Sequence, residues 1–437
     1  MKRLTAIVVV SLLLLVLPNG LYRTFDRDEP KYLEATREML ASRDLFTPRF
    51  NCKLRFDKPP LTYWLIGAGY TLLGENEFSG RLFVSLCGVL TAAMLFLWLR
   101  KFDEDVAFWT SLSFTTNLEV VIMSSVAMPD APLMLFTAAS IVAFYEGRYI
   151  LSAIAAGLAM LAKGPIGVII PAVATFPLLI KRRKEVPWMR ALAVLLLVSL
   201  PWYLLMMNRY GGRFLQDFFI FHNVKRFTTG VSHHSGQWWY YLLNAPWIYF
   251  PLSLFLPKAM VRLLRERPQE HLILAFTWLV GTFVFFQTAS TKLPHYLLPS
   301  VPAAAIITGH YAKDSPHFRK VVVATMALLL ILKWMAVPLA DRMRQKPVIA
   351  KRLRELVARH PYCSPYFYRT FSPEVIYHSG ICMDRLDKGE LKRLLGQKRC
   401  LILVAKPRHL KGAGALILMR TTSPLDDPPL AVGIIRP

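Results

Sequence analysis

Acid is what this chain has little of. Asp and Glu together number 28 against 53 Lys and Arg, a formal charge of +25. The glycine loops that cradle nucleotide phosphates, GxxxxGK[ST] and GxGxxG, are absent, and so is the GxSxG nucleophile turn. No motif therefore supports P-loop hydrolysis, dinucleotide binding or serine-elbow hydrolysis. Cysteine is scarce as well: five residues, with no CxxC and no zinc spacing. That leaves no thioredoxin-type redox centre and no zinc ribbon. Cys52, Cys363, Cys382 and Cys400 are expected to face an oxidising space, where a disulfide within the tail can form, although spacing does not give its connectivity. Cys87 falls in an apolar run.

What is abundant is apolar sequence. Hydrophobic residues make up 54% of 437 positions, and mean hydropathy is +0.37. Apolar runs near 20 residues recur, each long enough to cross a bilayer. Spans are expected near 4–21, 80–99, 105–122, 131–146, 149–162, 165–180, 187–208, 245–258, 271–288, 294–310 and 320–340. This predicts an all-α polytopic membrane bundle of about eleven helices over residues 1–340, with 22–79 as its first outer loop. Leu4 to Leu17 follows Met1-Lys2-Arg3 without a small-residue cleavage site and reads as a retained signal anchor. On such a chain the basic excess points to anionic lipid rather than nucleic acid.

The basic loops at 181–184, 258–267 and 313–320 fall on one side with the N-terminus, which the positive-inside rule makes the cytoplasm. An odd number of spans then puts residues 341–437 outside. That tail has 19 Lys/Arg against 8 Asp/Glu. A helix over 348–360 and buried strands at 401–405 and 415–419 predict a small α/β domain there.

The few acids cluster where the chain turns. Asp28-Glu29-Pro30-Lys31 opens an amphipathic helix over 30–42, expected to lie in the membrane interface. Tyr32, Ala35, Thr36, Met39 and Leu40 form its apolar stripe, and Lys31, Glu34, Arg37 and Glu38 its polar face. Asp28 and Glu29 suit the helix dipole as well as a catalytic role. Asp57-Lys58-Pro59-Pro60 holds Lys58 extended, which suits a phosphate contact, although a snorkelling lysine before a helix is the weightier reading from those residues alone. Asp130, at the outer junction of two spans, has no charged neighbour in sequence; a carboxylate there is a functional candidate by default. Lys163 occupies a tight turn, Ala162-Lys163-Gly164-Pro165. His222 lies among aromatics without a second histidine at ligand spacing, and Lys292 to Tyr296 offers a cation, an imidazole and a phenol. Two DxD matches, at 26–28 and 103–105, carry little weight, and the second reads as a cytoplasmic turn.

Five pieces in order carry a resemblance that none carries alone: Asp28-Glu29-Pro30-Lys31-Tyr32, Asp57-Lys58-Pro59-Pro60-Leu61, Pro129-Asp130-Ala131-Pro132, Leu161-Ala162-Lys163-Gly164-Pro165 and Lys292-Leu293-Pro294-His295-Tyr296-Leu297-Leu298-Pro299. Over residues 1–310 the chain resembles the bacterial lipid-linked sugar transferases of the aminoarabinose transferase type, in the wider protein mannosyltransferase-like group with the GT-C fold. The resemblance implies an inverting glycosyltransferase of the bacterial inner membrane. It would take its sugar from polyprenyl phosphate on the outer side and pass it to lipid A or, in the alternative, to protein. It implies Asp28 and Asp130 as catalytic acids, and Lys31, Lys58, Lys163 and Tyr296 on the donor phosphate. A divalent metal ion would sit on Asp57 and His222, with no nucleotide cofactor. Lys31 stands where the family usually has Arg, and Asp57 where it usually has Glu. A transporter or flippase would instead need charges near the midplane and an internal repeat, and the sequence offers neither.

Overall fold

Apolar runs broken by proline, glycine and asparagine fold here as helices whose breaks are used for docking. The computed structural model describes residues 1–24, 28–228, 237–426 and 428–435; the side chains of 222–224 and 226 lie outside that description. The chain divides into two units. The first comprises Met1–Gly20, Asp44–Thr47 and Arg55–Lys333. The second comprises Leu21–Arg43, Pro48–Leu54 and Trp334–Pro437. The division thus runs through the first outer loop, part of which joins the carboxy-terminal residues.

Among the described residues, five helices are long and apolar enough to cross a membrane: Lys2–Gly20, Glu77–Leu99, Trp188–Phe221, Glu270–Thr288 and Pro316–Arg342. Leu61–Leu73, Asp130–Tyr145, Tyr149–Lys163 and Ile166–Lys181 are apolar but shorter. The run expected as one span over 105–122 is two helices, Glu104–Thr115 and Leu118–Met123. Asn117 makes the break useful. Its side chain caps the second helix through the Val120 N–H at 3.1 Å, and its amide donates to the carbonyls of Ile248 and Phe250. The 103–105 DxD match is a cap too: Asp103 accepts from the N–H groups of Asp105 and Val106.

The second unit has a five-stranded mixed sheet. A two-residue hairpin in the outer loop supplies β1 (Arg49–Phe50) and β2 (Lys53–Leu54). The sheet itself comprises β3 (Ser364–Tyr368), β4 (Asp384–Leu386), β5 (Leu401–Ala405), β6 (Leu416–Arg420) and β7 (Ala431–Ile435), in the order β4-β3-β5-β7-β6. β3 runs parallel to β4 and β5, and β7 antiparallel to β5 and β6. β5 is central and buried at every position, with Ile402 and Val404 in one core and Leu401, Leu403 and Ala405 in the other. The strand expected to be buried at 415–419 is instead the edge β6, only partly covered, with Leu416 67% exposed. An apolar run reads alike in centre and edge strands, so the pattern could not separate them.

The outer-loop helix is Glu29–Ala41, and its surroundings differ from expectation. Glu34, assigned to the polar face, is buried and ion-paired to Arg37. Arg37 also donates to the Tyr377 carbonyl at 3.2 Å and lies over the Tyr377 ring. The helix therefore packs on the helix Pro373–Ser379 of its own unit, and Arg37 supplies the charge that lets Glu34 be buried. Asn51 exchanges two hydrogen bonds with the Met383 backbone, at 2.8 and 2.7 Å. Disulfides join Cys52 to Cys382 and Cys363 to Cys400, so one bond lies within the tail and the other ties the outer loop to it. Cys87 is free and buried.

A buried charge cluster completes the union. Arg23 donates through Nε to Asp341 at 2.8 Å, and Arg344 pairs with Asp341 and Glu374. Burial pushes the Glu374 carboxyl up to about 7 against the pull of Arg344. A carboxyl raised on folding keeps its proton in the native state where the unfolded chain has lost it, so stability falls as pH rises from about 4.5 to about 7. The second unit is therefore expected to lose up to about 3 kcal/mol over that window. Thermal melts at pH 5 and pH 8 check this, and Glu374→Gln should flatten the difference.

Candidate functional site

Four features of the sequence place four side chains together in the first unit. The Pro129-Asp130 junction starts the helix Asp130–Tyr145, so Asp130 sits among the free N–H groups of a first turn, 1% exposed. The helix Tyr149–Lys163 ends at Gly164, whose φ of +85° favours glycine. The next helix, Ile166–Lys181, then returns so closely that a Cβ on Gly167 would lie 2.2 Å from the Ala159 carbonyl carbon. This turn delivers Lys163 to Asp130, with Nζ 2.5 Å from Oδ1. The second carboxylate oxygen of Asp130, Oδ2, is buried and accepts no hydrogen bond among the described residues.

Tyr296 lies on a 3-10 segment, Pro294–Ser300, pinned from three sides. Tyr241 donates to the Leu293 carbonyl at 3.1 Å, Trp278 to the Pro299 carbonyl at 2.8 Å, and Tyr249 pairs with Ser300 at 2.7 Å. The segment holds the Tyr296 ring with its centroid 4.8 Å from Lys163 Nζ, a cation–π contact. Lys58 donates to the Asp57 carbonyl at 2.9 Å and shares a cavity with Lys163 and Tyr296. The cavity measures about 450 Å³ and is otherwise mainly apolar, with Ile166, Ile169, Phe219, Phe285 and Phe286 in its wall. Asp130 feels the positive charges of Lys163, His295 and Lys58. Two ammonium groups and a phenol thus meet at an oily hollow, with the buried Asp130 carboxylate paired to one of the ammonium groups.

The other expected residues fall differently. Asp28 and Lys31 belong to the second unit, where they are ion-paired with one another at the start of the helix Glu29–Ala41. Asp57 lies next to the cavity lysine, but its carboxylate is engaged. Arg55 grips it with two parallel bonds, Nε to Oδ1 at 2.8 Å and Nη2 to Oδ2 at 2.6 Å, and the Tyr63 hydroxyl donates to Oδ1 at 3.3 Å. A divalent ion on Asp57 would share a carboxylate already neutralised by a guanidinium, and the residues present do not fit one. The His222 side chain lies outside the described residues. Among those described, the one group with metal-ligand geometry is Glu38, Cys52 and Cys382, and its two sulfurs are joined as a disulfide.

Two participants were not singled out by sequence reasoning. Arg55 stands two positions before Asp57, the spacing that puts two extended residues on one side, and that spacing could have signalled the pair. Glu119 is buried in the helix Leu118–Met123, and its interacting charge is Asp130. Nothing local marked it.

Comparison with known proteins places this arrangement. A family model described as dolichyl-phosphate-mannose-protein mannosyltransferase matches residues 57–204, which hold Lys58, Asp130 and Lys163. The crystal structure of ArnT from Cupriavidus metallidurans bound to undecaprenyl phosphate superposes with a TM-score of 0.81 at 19% identity, covering 98% of this chain and 97% of that one. The undecaprenyl phosphate-alpha-4-amino-4-deoxy-L-arabinose arabinosyl transferase of Yersinia enterocolitica is 28% identical over 321 residues, 69% of this chain and 58% of that protein. In sequence and in fold the chain is similar to the GT-C glycosyltransferases of the aminoarabinose transferase type. An uncharacterized protein of Aquifex aeolicus is 30% identical over 361 residues, 77% of this chain and 71% of that one. The chain is a multi-pass membrane protein with a small carboxy-terminal sheet domain.

Removing one partner of a buried ion pair strands the other. Asp130→Ala is expected to cost about 3 kcal/mol and Asp130→Ala with Lys163→Met distinctly less. Melting of the three detergent-solubilised proteins measures the difference; equal losses in the single and double variants would mean the pair is not coupled.

Proposed function

We propose that this chain transfers a sugar from polyprenyl phosphate, the undecaprenyl form in a bacterium, to an envelope acceptor, with lipid A first among them. The observation that carries the reading is the cavity: an apolar hollow that also presents Lys58, Lys163 and Tyr296 suits a phosphate esterified to a prenyl chain. The arabinosyl transferase name of the Yersinia relative and the undecaprenyl phosphate bound to the Cupriavidus ArnT support it. The reaction takes place on the outer side of the inner membrane, with the N-terminus cytoplasmic and the second unit periplasmic. The two disulfides support that side, because such bonds persist in oxidising compartments.

In the proposed mechanism the C1–O bond to the carrier phosphate breaks while the acceptor attacks C1 from the opposite face, which inverts the anomeric centre. Negative charge grows on the leaving phosphate, and the two lysines stabilise it where it develops. Asp130 Oδ2 accepts no hydrogen bond among the described residues, and the reading gives it the part of base. It takes the proton of a hydroxyl acceptor, or orients the sugar where the acceptor is an already ionised lipid A phosphate. The family resemblance further gives Asp28 a catalytic role and Lys31 a phosphate contact. Lys31 is a point charge where Arg would grip two oxygens.

The family match to a protein mannosyltransferase supports a second reading, the same donor class with Ser or Thr as acceptor. Mass spectrometry of lipid A and of envelope proteins, from cells with and without the gene, separates the two. For the purified protein turning over a polyprenyl-phosphate sugar, Lys58→Ala should lower kcat/KM by about 10²–10³, as loss of a transition-state charge does. Asp28→Asn should lower it comparably. Turnover near wild type in both variants overturns the reading.

A further inference from the structure

The segment from Arg55 to Lys58 alternates sides. Phe56 is buried against Tyr210 and Phe214, with ring centroids 5.0 and 5.4 Å away. Arg55 and Asp57 form their pair, with side chains only 11% and 19% exposed. Parallel two-point bonding of this kind is the strongest and most directional form of the guanidinium–carboxylate contact. It occupies the inward-facing lone pairs of both Asp57 oxygens, and the Tyr63 hydroxyl adds a third donor to Oδ1. Arg stays charged at every accessible pH. A divalent cation seeking Asp57 would therefore meet a neutralised ligand beside a fixed positive charge. Asp57 is also one methylene shorter than Glu, so it cannot readily reach past its partner.

The same pair sets the place of Lys58. The Lys58 ammonium bonds to the Asp57 carbonyl and lines the cavity, and two prolines stiffen the chain immediately after it. Fixing the Asp57 side chain fixes the backbone from which Lys58 reaches. We infer that Arg55 stands in for a metal at this site: its guanidinium holds the Asp57 carboxylate and so positions Lys58, and the protein works without a divalent ion there. Arg55 is a positioning residue in this account. The share assigned to Lys58 rests on reading the cavity as the donor-phosphate site, whereas the metal question does not.

The test begins with the full-length protein and no substrate. After purification with and without EDTA, metal content is measured by inductively coupled plasma mass spectrometry, and Zn²⁺, Mn²⁺ and Mg²⁺ are titrated in turn. Wild type should carry well under one ion per chain and lose none on Asp57→Asn. One ion per chain that Asp57→Asn removes overturns the inference, whatever the substrate proves to be. Undecaprenyl phosphate in detergent is the second probe. Wild-type affinity should change less than twofold on chelation. Arg55→Gln should weaken it about tenfold and make it recoverable by added metal, because the carboxylate is then released. That recovery should vanish in the Arg55→Gln, Asp57→Asn protein, which separates a freed ligand from general misfolding. A tenfold fall in wild-type affinity on chelation also overturns the inference. Failure of wild type to bind undecaprenyl phosphate under any condition counts against the donor reading and leaves the metal measurement to decide on its own.

Discussion

One buried ion pair organises the candidate site. Asp130 and Lys163 come from two turns, and neither charge would be tolerable in this apolar bundle without the other. Their contact fixes the start of the helix Asp130–Tyr145 against the end of the helix Tyr149–Lys163. It also leaves Lys163 held over the Tyr296 ring and one buried Asp130 oxygen without a hydrogen bond among the described residues. The rest of the first unit serves this arrangement. Gly164 and Gly167 permit the turn and the close return of the next helix, and Tyr241, Trp278 and Tyr249 immobilise the 3-10 segment that carries Tyr296. Preorganised charge needs such backing, because a site that must rearrange during the reaction gives up much of its electrostatic advantage.

The second unit solves a different problem. The outer-loop stretches Leu21–Arg43 and Pro48–Leu54, with their many charges, would cost conformational entropy to hold in one shape. Here a disulfide, a reciprocal asparagine–backbone pair and the Arg37 contacts attach them to a separately cored sheet domain. The loop helix is thereby part of a folded body, which is why its supposed polar face can be buried. The helix that carries Asp28 and Lys31 owes its order to residues more than 300 positions further along the chain.

How much of this was legible depends on the range of the interaction. Most helix positions followed from apolar runs, since burial and period are written locally, although the runs at 105–122 and 245–258 are broken into shorter pieces, and the turns at Asp130 and Lys163 were marked by proline and glycine. The family was legible from five short pieces in order. What failed was whatever depends on a distant partner. Glu34 looked solvent-facing because nothing near it in sequence announces Tyr377 or the helix that covers it. Leu416 looked buried because an edge strand and a central one share a pattern. Cys52 could have been joined to any of several cysteines. Arg55 was missed for another reason: its partner Asp57 is only two places away, but the eye was on the motif that Asp57 opens.

The charge balance of the cavity suggests why lysines and a single aspartate suffice. Lys58 and Lys163 line the cavity and Asp130 is paired with Lys163 beside it, so these three groups together carry one net positive charge. A sugar linked to a carrier through a phosphodiester bears one negative charge, so the proposed donor meets a matched site. As the C1–O bond breaks, the leaving phosphate moves toward two negative charges, and the attraction to both ammonium groups rises with it. Interactions that strengthen only as the bond breaks raise the rate, whereas equal binding of donor and transition state would not. A resident divalent ion would raise the net charge and hold the product phosphate more tightly, slowing release of the carrier. With Arg55 spent on Asp57, the cavity keeps the smaller charge, which favours turnover over retention.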